Sequence, residues 1–173
     1  MSINRLATFF LYINIFVLFV VQTSCTVKYS AVGVDIPAEA KTISIRQFQN
    51  NAPLVNLKLS NEITTKLKDK FQSSTRLFLV ENRGDLSIVG EITGYSVSTV
   101  SVGTDKATMN RLTITVSITY ENSFDEEKNA TRSFSRYLDF ASTMSLAQVE
   151  DALTSDICDV LVDDIFQATV GNW

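Results

Sequence analysis

Leu112-Thr113-Ile114-Thr115-Val116-Ser117-Ile118-Thr119-Tyr120 alternates large apolar and hydroxyl-bearing side chains without a break. Successive side chains of a strand point to opposite faces, so this stretch predicts a strand with one buried and one solvated face, the pattern of an antiparallel sheet. Working upstream, Leu86, Ile88, Gly90 and Ile92 share one parity, and beyond Gly94 the apolar parity switches to Tyr95 and Val97, with Thr99 continuing it. A parity change at a glycine predicts a long strand kinked by a bulge. Gly103-Thr104-Asp105 supplies a turn between the two strands. Downstream, Asp125-Glu126-Glu127-Lys128-Asn129 predicts a loop and Thr131 to Phe140 a further strand.

Towards the amino terminus, Lys41 to Phe48 predicts a strand through Ile43, Ile45 and Phe48, broken by Asn50-Asn51-Ala52-Pro53. Leu77 to Val80 reads as a short buried strand, and Asn82-Arg83-Gly84-Asp85 as a hairpin-type turn into the strand that follows. Leu59, Ile63, Leu67 and Phe71 recur at four-residue spacing and predict an amphipathic helix. Lys66, Lys68 and Lys70 on that helix read as a solvated face. Ser145 and Gln148 form a capping box. It opens a long final helix whose apolar positions are Leu146, Val149, Leu153, Ile157, Val160, Leu161 and Val170. The other side of that helix carries Glu150, Asp151, Asp156, Asp159, Asp163 and Asp164 without lysine or arginine, either a solvated face or a docking surface for a basic partner. Two helices and a sheet with one apolar face predict an α+β fold. The expected architecture is a two-layer sandwich, with a mostly antiparallel four- to five-stranded sheet and two helices packed on one face.

The chain opens with one early charge, Arg5, and runs from Leu6 to Val21 almost without polar interruption before Gln22-Thr23-Ser24-Cys25. An apolar stretch of about 16 residues is short of the roughly 20 needed to span a bilayer. Its ending in small residues and a cysteine predicts a lipoprotein signal over residues 1–24 with lipidation at Cys25. Gln22 departs from the aliphatic residue usual at that position. An ordinary signal cut near Ser24 and an uncleaved anchor are the alternatives. Residues 25–40 then read as a lipidated tether and 41–173 as a single domain. Thr26 in place of an inner-membrane retention aspartate points to the periplasmic leaflet of the outer membrane.

Composition excludes several chemistries. The sequence contains no histidine, which removes imidazole catalysis and the serine and cysteine triads and leaves Cys158 without a base. Cysteine/histidine metal sites fail for the same reason, and neither a calcium loop nor a phosphate-binding glycine loop is present. No catalytic, cofactor or metal residue is therefore expected. Glu91 and Asp139 are the acids nearest to a conceivable pair. With Cys25 lipidated, Cys158 has no disulfide partner. The net charge is −4, and removing residues 1–24 deletes only Arg5, so nucleic acid is not expected as a partner.

Arg132 and Arg136 share strand parity with Phe134, Leu138 and Phe140. An inward arginine is costly unless paired. Either these are edge arginines whose stems cover the core, or an open face mixing Arg111, Arg132 and Arg136 with apolar residues is suited to an anionic amphiphile.

Several segments carry a family likeness: Ala38-Glu39-Ala40-Lys41-Thr42-Ile43-Ser44-Ile45, Asn50-Asn51-Ala52-Pro53-Leu54-Val55 and Gly90-Glu91-Ile92-Thr93-Gly94-Tyr95. Asn110-Arg111-Leu112-Thr113-Ile114-Thr115-Val116, Ser133-Phe134-Ser135-Arg136-Tyr137 and Asn172-Trp173 complete the set. In this order they resemble the LptE lipopolysaccharide-assembly lipoproteins of Bacteroidota. The resemblance implies a non-enzymatic plug and assembly partner inside the β-barrel of LptD, held at the outer membrane by its amino-terminal lipid and contacting lipopolysaccharide. It carries no numbered lipopolysaccharide-binding residue onto this chain. The competing reading is a free-standing periplasmic lipoprotein that binds a glycan or hydrophobic ligand, for which a concave aromatic-lined pocket is the expected sign.

Overall fold

The computed structural model describes residues 34–54, 56–102 and 107–171. The leader, Cys25, the Gly103-Thr104-Asp105 turn and the closing Asn172-Trp173 lie outside the described residues. The elements are β1 (Thr42–Ile45), β2 (Gln49–Asn50), α1 (Leu59–Ser74), β3 (Phe78–Val80), β4 (Leu86–Val102), β5 (Ala107–Asn122), a 3-10 turn at Glu126–Lys128, β6 (Ala130–Ala141) and α2 (Leu146–Val170). They form an α+β sandwich around one six-stranded sheet, ordered β3-β1-β4-β5-β6 with β2 also beside β4. The long pairs β4·β5 and β5·β6 are antiparallel. The short pairs that β1 makes with β3 and β4, and β2 with β4, are parallel. Among the described residues no helix is long and apolar enough to cross a membrane.

The alternation along β5 holds in full, with Leu112, Ile114, Val116, Ile118 and Tyr120 all buried. The expected bulge in β4 falls between Ile92 and Gly94, where Thr93 is the extra residue. Leu86, Ile88 and Ile92 before it and Tyr95 after it are all buried. α1 buries Leu59, Ile63, Leu67 and Phe71 as their spacing predicted. α2 begins at the Ser145/Gln148 capping box. Their ends meet where the Phe71 and Phe166 rings pack edge to face at 5.0 Å.

Four local expectations are corrected. The first strand divides, because the chain leaves β1 after Ile45 to drive Phe48 under the sheet. There the Phe48 N–H donates to Thr64 Oγ1 (3.1 Å) and Phe48 O accepts from the Ser60 hydroxyl. Leu77 is buried, but β3 is an edge strand with Phe78 73% exposed, so the run is not a buried strand. The 82–85 turn does not join hairpin strands: β3 and β4 lie on either side of β1, both parallel to it, and the turn carries the chain across β1. Gly84 makes that passage possible, since a Cβ there would stand 2.5 Å from Ser44 N. Asp85 then ties the crossing down by accepting the N–H groups of Lys41 (2.9 Å) and Thr42 (3.0 Å). Finally, Val160 of α2 is 47% exposed; Val162, Ile165 and Phe166 fill the core instead.

Gly90 is where sheet and first helix are brought into register, because a Cβ there would lie 2.3 Å from the Phe48 ring. Overpacking a filled core forces side chains off their rotamers. Gly90→Ala is expected to lower unfolding stability by about 1–3 kcal/mol, measured by urea denaturation. An unchanged midpoint would show that Phe48 is not the constraint described.

Candidate functional site

Strand register decides where the three sequence-selected arginines point. The apolar row of β5 runs through even-numbered residues from Leu112 to Tyr120, so Arg111 belongs to the opposite row, on the face away from the helices. Arg132 stands opposite Ile118, and Arg136 opposite Ile114. Both are therefore on the helix side with Phe134, Leu138 and Phe140, as their parity implied. The single face mixing all three arginines does not form, because Arg111 is one residue out of phase with the apolar row.

Each arginine has a different environment. Arg111 meets Asp139, its neighbour across the β5–β6 ladder, through two parallel bonds, Nε to Oδ1 at 2.7 Å and Nη2 to Oδ2 at 2.9 Å. Its guanidinium also lies 3.6 Å from the centre of the Tyr137 ring, adding a cation–π contact. The guanidinium holds the Asp139 carboxyl below the usual carboxylate range. Arg136 reaches from β6 to α2, with Nε 2.5 Å from Asp164 Oδ2 and Nη2 2.8 Å from Oδ1. Fork-to-fork geometry of this kind fixes orientation as well as charge. Arg132 is exposed and has no ion-pair partner among the described residues. It borders a shallow cavity of about 300 Å³ with Asp35, Lys128 and Thr169.

That cavity sits where the chain enters the fold. Val34 bridges to Gly171, the Asp35 N–H donates to Val170 O at 2.7 Å, and Lys128 Nζ lies 2.6 Å from Asp35 Oδ2. Among the described residues the chain is therefore already docked at Val34, within the segment read as tether, and Ala40 is fully buried.

The lysines of α1 and the acids of α2 turn out to face each other. Lys58 pairs with Asp151 (2.9 Å), Lys66 with Asp159 (2.5 Å) and Lys70 with Asp163 (2.7 Å). Glu150 accepts from the Tyr95 hydroxyl (2.6 Å) and from the Asn56 amide (2.9 Å). Lys66 and Lys70 are thus not simply wet, and most of the acidic face is engaged within the domain. Exposed ion pairs of this type contribute little energy each, but a row of them fixes how one helix lies along the other.

The opposite face of the sheet is left open. β5 presents Thr113, Thr115, Ser117 and Thr119 there, and β6 presents Thr131, Ser133 and Ser135, with hydroxyl contacts of 3.0 Å at Thr115–Ser135 and Thr119–Thr131. Glu91 also lies on this face, opposite Ser117, and accepts the Asn51 amide at 2.9 Å. Asp139 is opposite Arg111; six residues of β5 separate the two positions, roughly 20 Å at strand rise. They do not make an acid pair. Cys158 is buried among the helices, and burial pushes its thiol up to about 12, far from a nucleophile at neutral pH. Among the described residues no group of three potential metal ligands comes together.

The fold is thus an α+β domain with one face sealed by helices, one open hydroxyl face, and Arg111 and Arg136 held in ion pairs. The LptE family, described as lipopolysaccharide-assembly, matches residues 40–169. The chain belongs to this family. A comparison with curated proteins gives no match. Among solved structures, a minor lipoprotein from Acinetobacter baumannii is similar at 17% identity and a TM-score of 0.51, covering 76% of this chain and 97% of that one. An uncharacterized lipoprotein B from Nitrosomonas europaea gives 18% identity and 0.47, covering 80% and 86%. The rare lipoprotein B from Shewanella oneidensis gives 12% and 0.48, covering 74% and 92%. At 17% identity and a TM-score of 0.51 the likeness to the Acinetobacter baumannii lipoprotein is one of fold.

Asp139 and Asp85 both titrate below the ordinary carboxylate range, Asp139 through Arg111 and Asp85 chiefly through the Lys41 N–H. A carboxylate depressed in the folded state stabilises above its unfolded pKa, and that contribution is lost as pH falls through the folded value. The urea midpoint is therefore expected to hold from neutrality to about pH 5 and to fall below about pH 4. Asp85→Ala combined with Asp139→Ala should start lower and fall less steeply. Identical acid slopes in the two proteins would contradict this assignment.

Proposed function

We propose that this chain is the lipid-anchored plug and assembly subunit of an LptD-like outer-membrane β-barrel that delivers lipopolysaccharide to the cell surface. The observation that carries the proposal is the open hydroxyl face of β5 and β6 in a chain of the LptE family. A barrel of this kind has a polar interior. A plug inside it needs a compact body with hydrogen-bonding groups outward, and this domain pairs Lys58, Lys66, Lys70 and Arg136 with acids of α2.

Residues 1–24 act as the export signal and Cys25 carries the acyl chains. Cys25 to residue 33 is nine residues, a reach of about 30 Å when extended. In this reading a tether of that reach keeps the Val34 end of the domain near the periplasmic leaflet of the outer membrane and raises the effective concentration of plug at the barrel. Of Arg111, Arg132 and Arg136, two are already held by carboxylates, Arg111 by Asp139 and Arg136 by Asp164. Arg132, beside the anchored end, is the one offered to a lipopolysaccharide phosphate. The free-standing ligand-binding reading has less support. Three shallow cavities of about 380, 300 and 470 Å³ have no aromatic side chain in their lining.

Affinity purification of the acylated chain from outer membranes is expected to recover one large barrel protein in equal amount. Cys25→Ser should release the chain from the membrane, and Arg132→Glu should weaken lipopolysaccharide binding at low salt without changing barrel recovery. Recovery of the wild-type chain as a lone monomer would overturn the proposal.

A further inference from the structure

β4 is paired along its whole length on one side, by β5, but only in part on the other. There β1 lies beside Ile88 and its neighbours, β2 lies beside Glu91 and Ile92, and the lane ends with the bond from Asn51 N to Ile92 O at 2.9 Å. Pro53 has no N–H to continue it, and the chain turns away. From Thr93 to Val102 the lane beside β4 is vacant among the described residues.

Backbone direction follows from the bonds on either side of the gap. Ile88 O and Ile92 O both point into the lane, accepting from Arg46 N and Asn51 N. Backbone groups alternate sides along a strand, and the extra residue at Thr93 shifts the alternation by one. Tyr95, Val97, Thr99 and Ser101 therefore aim their N–H and C=O groups into the vacant lane. Among the described residues no backbone or side-chain partner meets them.

Natural sheet edges are protected by charge, proline or brevity. β3 has three residues, and the β6 edge carries Arg132, Arg136 and Asp139. The β4 edge has none of these protections: Ile92-Thr93-Gly94-Tyr95-Ser96-Val97-Ser98-Thr99-Val100-Ser101-Val102 is uncharged and strand-favouring. Val97 is 39% exposed on its helix side, and Leu54 and Leu57, on the loop leaving the lane, are 51% and 89% exposed. Water can hydrogen-bond such a ladder of amides and carbonyls singly, and an extended polypeptide meets all of them in register.

We propose that the lane from Gly94 to Ser101 is a strand-acceptor site for an extended, uncharged segment of the barrel partner, with an aliphatic side chain turned towards Val97. The inference rests on the barrel reading above. The vacant lane and the hydroxyl face belong to the same hairpin, so one partner engages both. A closed barrel has no free strand edge to offer, so the donor is one of its loops or a terminus.

Amide hydrogen exchange on the wild-type chain alone and in the purified barrel complex tests this directly. Tyr95, Val97, Thr99 and Ser101 should exchange at least about tenfold more slowly in the complex, while the β5-facing amides of Ser96, Ser98 and Val100 are protected in both. Thr99→Pro, which removes one lane-facing donor, should cut the barrel recovered roughly tenfold, with Thr99→Ala recovering wild-type amounts. If the wild-type chain recovers the barrel while the four amides exchange as in the free chain, the acceptor site is wrong and the plug stands. If it recovers no barrel, the plug reading fails and this inference with it. Protection in the chain alone that rises with its concentration would assign the lane to a second copy. Protection in the chain alone that is lost on deleting residues 26–33 would assign it to the chain's own segment. Either result overturns the proposal.

Discussion

Period-two alternation along β5 puts Leu112, Ile114, Val116, Ile118 and Tyr120 on one side of the sheet and a row of hydroxyls on the other, and the rest of the domain answers to that division. The apolar side must be removed from water, and two amphipathic helices do so. The hydroxyl side needs no cover to be stable. The glycine at position 90 and the ring of Phe48 settle how closely the first helix can approach. The bulge at Thr93 re-aims β4 so that Tyr95 continues the buried row. Each of these features serves the face that is sealed, leaving the other free to meet something outside the chain.

Charge is arranged on the same plan. Cations of α1 and acids of α2 pair along the helix seam, and Arg136 joins β6 to Asp164 on the helix side. On the open side Arg111, Asp139 and Tyr137 form one compact group on neighbouring strands. The helix seam and the β5–β6 ladder thus match part of the charge of an acidic sequence, while Lys68, Asp69 and Asp156 have no ion-pair partner among the described residues.

Features with a local period were legible in the sequence. The alternation of β5, the four-residue spacing of α1, the Ser145–Gln148 cap and the parity change near Gly94 each require only a short window, and the structure reproduces them. What failed needed a distant partner. The 82–85 turn looked like a hairpin because turn residues do not reveal which strand lies between the two they connect. The lysines of α1 read as solvated because their carboxylates lie some 90 residues later. The face of Arg111 could have been read by counting one residue back from Leu112, and that signal was missed. Arg132 and Arg136 were placed on the helix side by the same count, whereas the Asp164 partner of Arg136 was not foreseeable from spacing. The vacant lane beside β4 had no sequence signal, since it is defined by where β2 stops.

The proposed plug role requires the domain to meet its partner through the open sheet face and not through its helices. Site-specific photo-crosslinking in intact cells, from Thr115 on the hydroxyl face and from Asp156 on the outer side of α2, tests it most directly. Adducts to a large outer-membrane protein are expected from Thr115 and none from Asp156. Adducts from Asp156 alone would contradict it.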